Sequence, residues 1–286
     1  YHNKIMNTKK IIDIFNKFDI SSIKDENQVK FSSLGSVTNL NYKVEINEKK
    51  YVLRVPGKNP DLINRNSEGN NEQLIQNLDI SLPIIAFDKE TGIKISEFYD
   101  NLYTCSSSDM LDKKFRDDAI DLLLRLHESD LIFEENFSPF EVFKKLVNTE
   151  DKFENESKAV GEDVVKKLKK IGLSSKPCHQ DLYHANFVYL DNKAYLIDWE
   201  YSSQGDPLFD YADFIWQNEL EDKSEIVNDI YKKIGIDDEE TKIKMELFQI
   251  LSMLTWGFWA KRKSPQENRG YEALDSALKK YTNKFS

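Results

Sequence analysis

The chain has 286 residues, 40% of them apolar and 12% aromatic, enough to fill one large or two ordinary cores. Its formal charge of −10 excludes a general affinity for nucleic acid or anionic membrane, both of which need a basic surface. The two cysteines, Cys105 and Cys178, form no disulfide framework or thiolate metal site, and no run of about eighteen apolar residues offers membrane insertion. The polar start over residues 1–10 is unlike a secretory leader and points to the cytoplasm, and nothing marks an obligate protein partner.

In chain order, residues 11–18 place apolar side chains at helical spacing and lead into a strand-rich stretch from about Val29. Residues 34–44 carry Gly35, Ser36, Thr38 and Asn39. They read either as a tight turn whose backbone N–H groups meet phosphate oxygens or as an ordinary hairpin. The next strand, 50–55, holds Arg54, a cation that neutralises phosphate bidentately or sits exposed on a strand. A helical stretch over 63–78 brings Glu68 and, one turn on, Glu72, and an ion pair to Arg54 is open to either, Glu68 being preferred. Residues 83–87 and 92–98 read as a strand pair, after which the pattern turns helical. That change sets the expected lobes at 1–98 and 99–286, with the backbone of Glu97 and Phe98 a natural place for adenine to hydrogen-bond.

Residues 112–128 form an amphipathic helix ending in a structural His127, and the charged stretch 151–170 reads as a solvated helix surface. The densest chemistry follows. His179-Gln180-Asp181-Leu182-Tyr183-His184-Ala185-Asn186 has the form H-x-D-x-x-x-x-N, and two short strands over 187–190 and 194–197 then return the chain to Asp198. Phosphoryl transfer from a nucleotide needs a carboxylate to accept the proton of the attacking hydroxyl, and hard oxygen ligands to hold Mg²⁺. Asp181 fits the first role; Asn186 and Asp198 fit the second. Beyond Gly205-Asp206-Pro207, Asp210 is placed to cap a helix over 211–220. All four tryptophans lie from Trp199 onward, and Trp256 and Trp259 share one helix side with Gly257 between them. With Tyr201 and Tyr271 they make either the walls of a quaternary-ammonium site held by cation–π attraction or plain core packing.

Together these segments resemble the choline/ethanolamine kinases of the aminoglycoside-phosphotransferase-like superfamily, bacterial choline kinases most of all. The likeness runs through residues 35–39, 51–57, 63–66, 94–97, 179–186, 197–201 and 256–259. The H-x-D segment is common to the superfamily and selects no substrate. Ile197-Asp198-Trp199-Glu200-Tyr201 and Trp256-Gly257-Phe258-Trp259 are the more specific parts. The resemblance implies an α+β, bilobal, protein-kinase-like fold with a small β-rich N-lobe and a larger, mainly helical C-lobe. It implies ATP and Mg²⁺ as cofactors and choline as the small-molecule substrate. Asp181 is then the base, Asn186 and Asp198 hold Mg²⁺, and Ser36, Thr38, Asn39, Arg54 and Glu68 serve the nucleotide. Tyr201, Trp256, Trp259 and Tyr271 surround the trimethylammonium, with Glu200 beside the substrate. The phosphate loop departs from relatives in lacking paired glycines, and Leu274 stands where some relatives carry another tyrosine. Ethanolamine, thiamine and aminoglycosides are the rival acceptors, and a catalytically silent choline-binding protein is the alternative of another class.

Overall fold

Ile11, Ile12, Ile14 and Phe15 recur at helical spacing rather than alternating as a strand would, so α1 (Thr8–Lys17) forms, capped by the Asn7 side chain on the Lys10 N–H. It lays Ile11 and Phe15 on a sheet built from β1 (Val29–Leu34), β2 (Leu40–Ile46) and β3 (Lys49–Val55). The helix α2 (Arg65–Ile75) precedes β4 (Ile84–Phe87) and β5 (Lys94–Glu97). The strands pair antiparallel in the order β1-β2-β3-β5-β4, and Val44, Ile46, Tyr51, Leu53 and Ile95 close the core under α1. The computed structural model describes residues 6–20, 23, 25–35, 39–57 and 62–285, so Ser36 and Thr38 lie outside the described residues.

Past this sheet come the two-residue strand β6 (Tyr103–Thr104) and the helices α3 (Lys113–His127), α4 (Pro139–Leu146) and α5 (Lys152–Ile171). Short strands then bracket the catalytic stretch: β7 (Lys176–Cys178) before it, β8 (Phe187–Leu190) and β9 (Lys193–Leu196) after it. The β8–β9 turn is Asp191-Asn192, with φ of 50° and 65°, the left-handed pair that a two-residue hairpin demands. β10 (Ser203–Gly205) pairs with β7, so both ends of the catalytic stretch are pinned by strands.

The chain closes with α6 (Pro207–Gln217), α7 (Ser224–Lys233), α8 (Glu239–Lys263) and α9 (Arg269–Phe285). From Lys244 to Lys261, α8 buries side chains on every face, as a helix does when others surround it. The fold is thus α+β: a small antiparallel sheet with α1 and α2 packed against it, and a larger helical portion.

Two sequence expectations change. The cap of α6 is Asp206, which accepts the Leu208 N–H at 3.0 Å, because Pro207 already has the φ of a first helical turn and starts the helix earlier. Asp210 lies inside the helix. The charged stretch 151–170 is not solvated all round: α5 buries Glu154, Ser157, Gly161, Val164, Val165 and Leu168 on one face, with Glu154 neutralised by Lys261 and Arg262.

Helix α9 approaches α8 closely enough that a Cβ on Gly270 would stand 2.7 Å from the Lys261 backbone nitrogen and 2.9 Å from the Gly257 carbonyl oxygen. Backbone cannot give way as a flexible side chain can. Gly270→Ala is therefore expected to lose about 1–3 kcal/mol in urea denaturation; an unchanged midpoint would show that the two helices separate freely.

Candidate active site

The catalytic stretch has no regular ladder of its own, so its backbone donors need other partners. Helix α6 supplies them. Asp210, fully buried, accepts the His179 and Gln180 N–H groups at 2.9 Å each, and Asp213, also fully buried, accepts the Leu182 N–H at 2.8 Å. Gln180 is held at φ 68°, a left-handed conformation that costs a non-glycine residue energy and is sustained by these bonds. His127 packs behind, between Asp210 at 2.9 Å and the Tyr211 phenol at 3.0 Å, in a structural role. Burial lowers His179 to about 4, so its ring is neutral: Nδ1 accepts the Asp181 N–H at 3.3 Å and Nε2 donates to the Ile197 carbonyl at 2.9 Å.

Asp181 emerges from this scaffold with two side-chain donors on its carboxylate, Gln217 at 2.9 Å and Asn186 at 3.1 Å. Enclosure by protein, and next the charge of Asp213, raise Asp181 to about 8. A carboxyl so raised holds and releases a proton near neutrality. Asn186 and Asp198 meet across the open end of the β8–β9 hairpin, where the Ile197 N–H donates to the Asn186 carbonyl at 2.9 Å. Asp198 is itself left-handed, at φ 65°, and its Oδ1 has no hydrogen-bond partner among the described residues.

Across the cleft, Arg54 on β3 forms a 2.5 Å ion pair with Glu68 on α2, donates to the Gly92 carbonyl at 3.0 Å and reaches 3.6 Å from Asp198. Glu72 is taken by Lys94 at 2.6 Å, so of the two acids Glu68 carries the Arg54 pair. Arg65 joins Glu68 to Glu200, at 2.6 and 3.0 Å.

On the other side of Asp181, four rings converge. Phe137 stacks on Trp256 with centroids 6.0 Å apart and an 18° tilt, while Tyr201 stands edge-on to Phe137 at 4.9 Å and to Trp256 at 5.1 Å. Trp259 meets Trp256 at 6.1 Å. The Trp256 indole N–H donates to Asp213 at 2.8 Å, and Gln217 bridges Asp213 and Asp181 at 2.9 Å each. A continuous hydrogen-bonded chain thus runs from the rings to Asp181.

With an acid–base centre and an aromatic cluster joined in this way, the model of the choline/ethanolamine kinase family matches residues 31–242. The chain belongs to this family. It is an ATP-dependent phosphotransferase with an alcohol as acceptor and a small-molecule substrate. Over 274 residues it is 29% identical to Protein LicA of Haemophilus influenzae, spanning 89% of this chain and 78% of that one. The crystal structure of choline kinase LicA from Streptococcus pneumoniae superposes with a TM-score of 0.80 at 27% identity, over 96% of this chain and 98% of that one. A structure of LicA in complex with AMP gives 0.81 at 29% identity with the same coverage.

Within the kinase, several residues stand elsewhere than the sequence led one to expect. The Phe98 N–H is already donated to the Lys50 carbonyl at 3.1 Å in the sheet, so it is not a donor for adenine. Glu97 pairs with Tyr51 at the next position, where antiparallel alternation turns its backbone groups away from β3 and past the end of β4 at Ile84. Asn39 is buried and donates to Glu200 at 3.2 Å, which draws its amide inward. Glu200 has its polar contacts with Asn39 and Arg65, not among the rings. Tyr271 is 43% exposed, and its ring contacts are Phe153 at 6.0 Å and the Lys261 ammonium at 3.6 Å, so the structure does not bring it to the cluster. Phe137, Asp213 and Gln217 were missed. Asp210, Asp213 and Gln217 recur three and four apart on an otherwise apolar helix, a signal present in the sequence; Phe137 has none.

The raised Asp181 has a consequence for stability. A carboxyl whose folded value lies above its ordinary 3.8 favours the protonated fold, so its contribution is complete below about pH 4 and lost as pH rises through about 8. Ligand-free protein should therefore lose stability over that range, and Asp181→Asn should flatten the loss by about 1–3 kcal/mol, less than full linkage because Asp181 keeps some contact with water. Denaturation curves that fall in parallel for parent and variant would assign the loss to another group.

Proposed function

We propose that the kinase phosphorylates choline in the cytoplasm, with residues 1–98 as the nucleotide lobe and 99–286 as the acceptor lobe. The observation that carries the choice of acceptor is the chain of hydrogen bonds from the Trp256 indole through Asp213 and Gln217 to Asp181. It holds aromatic faces at a fixed offset from the base, which suits a molecule whose cation and hydroxyl are two carbons apart. A quaternary ammonium donates no hydrogen bond and is held by ring faces at about 0.5–2 kcal/mol each. Ethanolamine's primary ammonium must replace lost water with acceptors, and the ring cluster offers it the Tyr201 phenol oxygen and little else.

In the reaction Asp181 orients the choline hydroxyl and takes its proton as the oxygen bonds to the γ-phosphorus and the bond to ADP breaks. Mg²⁺ fits the donors present. Asp198 Oδ1 is a covered, unpartnered oxygen among the described residues, and Asn186 has its N–H committed to Asp181, leaving its amide oxygen as a hard ligand. Glu200 Oε1 is likewise unpartnered, and we assign Glu200 to this group in place of the acceptor role. Mg²⁺ bound there would neutralise phosphate charge. Arg54 keeps Nε and Nη1 without hydrogen-bond partners among the described residues, which suits a phosphate oxygen, and Glu68 fixes its direction. Ser36 and Thr38 complete the phosphate loop, and adenine meets the backbone of Glu97.

Side-by-side turnover with choline, ethanolamine, thiamine and an aminoglycoside tests the acceptor, choline being expected to give the highest kcat/KM by about tenfold or more. Preference for ethanolamine would remove the cation–π reading. Asp181→Ala should lower kcat by about 10²–10⁴ with ATP binding intact, and near-normal turnover would remove the base assignment. Trp259→Ala should raise the choline KM about tenfold and leave the ATP KM within about twofold; equal effects on both would make the ring mere core.

A further inference from the structure

Asp213 is a fully buried carboxylate that accepts four hydrogen bonds, all from neutral donors: the Leu182 N–H at 2.8 Å, Gln217 at 2.9 Å, the Trp256 indole at 2.8 Å and the Ser252 hydroxyl. Ser252 and Trp256 lie one turn apart on α8, Gln217 one turn beyond Asp213 on α6, and Leu182 beside the base. One side chain therefore fastens the catalytic stretch, the ring-bearing helix and the donor that reaches Asp181. No lysine, arginine or histidine lies within ion-pair distance of Asp213 or Asp181 among the described residues, whereas the acids Glu68, Glu72 and Glu200 all have basic partners.

That arrangement leaves a charge uncompensated. Neutral donors orient toward a carboxylate without cancelling its charge, and in an enclosed site the attraction reaches well past contact distance. The Trp256 N–H points at the anion, which raises electron density on the indole face that an acceptor cation would meet. With its lone pairs filled, Asp213 gains little from a ligand that donates hydrogen bonds. Its remaining attraction is for charge.

We propose that Asp213 is a positioning and specificity-determining residue for the acceptor: it sets the offset between Trp256 and Asp181, and its charge makes the site discriminate against uncharged alcohols. The inference rests on the reading that the rings hold the acceptor's cation, and it adds that the rings alone do not account for the selection.

The test compares choline with 3,3-dimethylbutan-1-ol, which has the same shape and hydroxyl but no charge. Parent enzyme, Asp213→Asn, Trp256→Phe and the double variant are assayed with both alcohols, and thermal melts record folding. In Asp213→Asn the ratio of kcat/KM for choline over the neutral alcohol should fall about tenfold or more, mainly through the choline KM, with the ATP KM within about twofold. Trp256→Phe keeps an aromatic face but loses the N–H; it should lower the ratio too, and the double variant should add little to Asp213→Asn. A purely structural Asp213 would depress both alcohols equally and leave the ratio unchanged, which overturns the proposal. Should Asp213→Asn fail to fold, an unaltered ratio in Trp256→Phe overturns it by itself. Failure of the ring reading is separate: Trp259→Ala would then leave the choline KM unmoved while Asp213→Asn still changed the ratio.

Discussion

Two carboxylates on one face of α6 hold the backbone on which the chemistry stands. Asp210 and Asp213 are both fully buried, and between them they accept the N–H groups of His179, Gln180 and Leu182. Hydrogen bonds to an ionised acceptor are shorter and stronger than neutral ones, and here they replace the ladder that a loop lacks. The cost is burial of charge, which lifts Asp213 to about 6. In return a non-glycine residue stays left-handed at position 180, and Asp181 is presented from a backbone with little freedom. Preorganisation of this kind accounts for much of what a phosphoryl-transfer enzyme contributes, because the protein does little covalent chemistry itself.

The opposite wall obeys a different rule. Arg54, Arg65 and Lys94 face Glu68, Glu72, Asp198 and Glu200, three cations against four acids, four of the seven buried and the other three partly so. A structural network at that depth would be expected to satisfy every polar atom, since each orphan costs stability. This one leaves atoms of Arg54, Glu72, Asp198 and Glu200 without hydrogen-bond partners among the described residues. Burial raises both Asp198 and Glu200, and repulsion between the two adds to the rise of Glu200. Surplus acid with oxygens lacking hydrogen bonds, beside a cation with N–H groups lacking acceptors, agrees with the proposed binding of a metal ion and a phosphate here. A closed salt-bridge cluster offers no such vacancies in its bonding.

What the sequence made readable follows from how locally each feature is determined. The β8–β9 hairpin was readable because Asp191 and Asn192 tolerate the left-handed backbone of a tight turn, although the turn is these two residues alone and Lys193, expected in the turn, already pairs with Leu190. Once the hairpin is granted, the meeting of Asn186 and Asp198 follows from strand register alone. Arg54 and Glu68 were within reach for the same reason, strand and helix being consecutive. The failures at Phe98 and Tyr271 are long-range. Whether the Phe98 N–H is available depends on Lys50, and whether Tyr271 offers a ring face depends on Lys261 having covered it. Asp213 and Gln217 were lost differently, because a search for apolar periodicity treats polar residues on an apolar helix as interruptions. A buried helix with acids three apart is better read as facing something that needs them.

The two indoles are not equivalent, and the difference bears on how acceptor preference can change within this framework. Trp256 is bonded to Asp213, stacked on Phe137 and followed by Gly257, where a Cβ would come within 2.8 Å of Leu274 on α9. Altering it disturbs the joint between α6, α8 and the catalytic stretch. Trp259 has an indole N–H with no hydrogen-bond partner among the described residues; it is turned toward the Tyr201 phenol outside normal hydrogen-bond geometry. Its ring touches the cluster from the side. Substitution at 259 therefore changes the shape and polarity of the ring cluster proposed to hold the acceptor without loosening the base, whereas substitution at 256 does both. Buried polar bonds and close helix packing thus divide one ring cluster into a fixed wall and an adjustable one, and acceptor range should drift through the adjustable wall first.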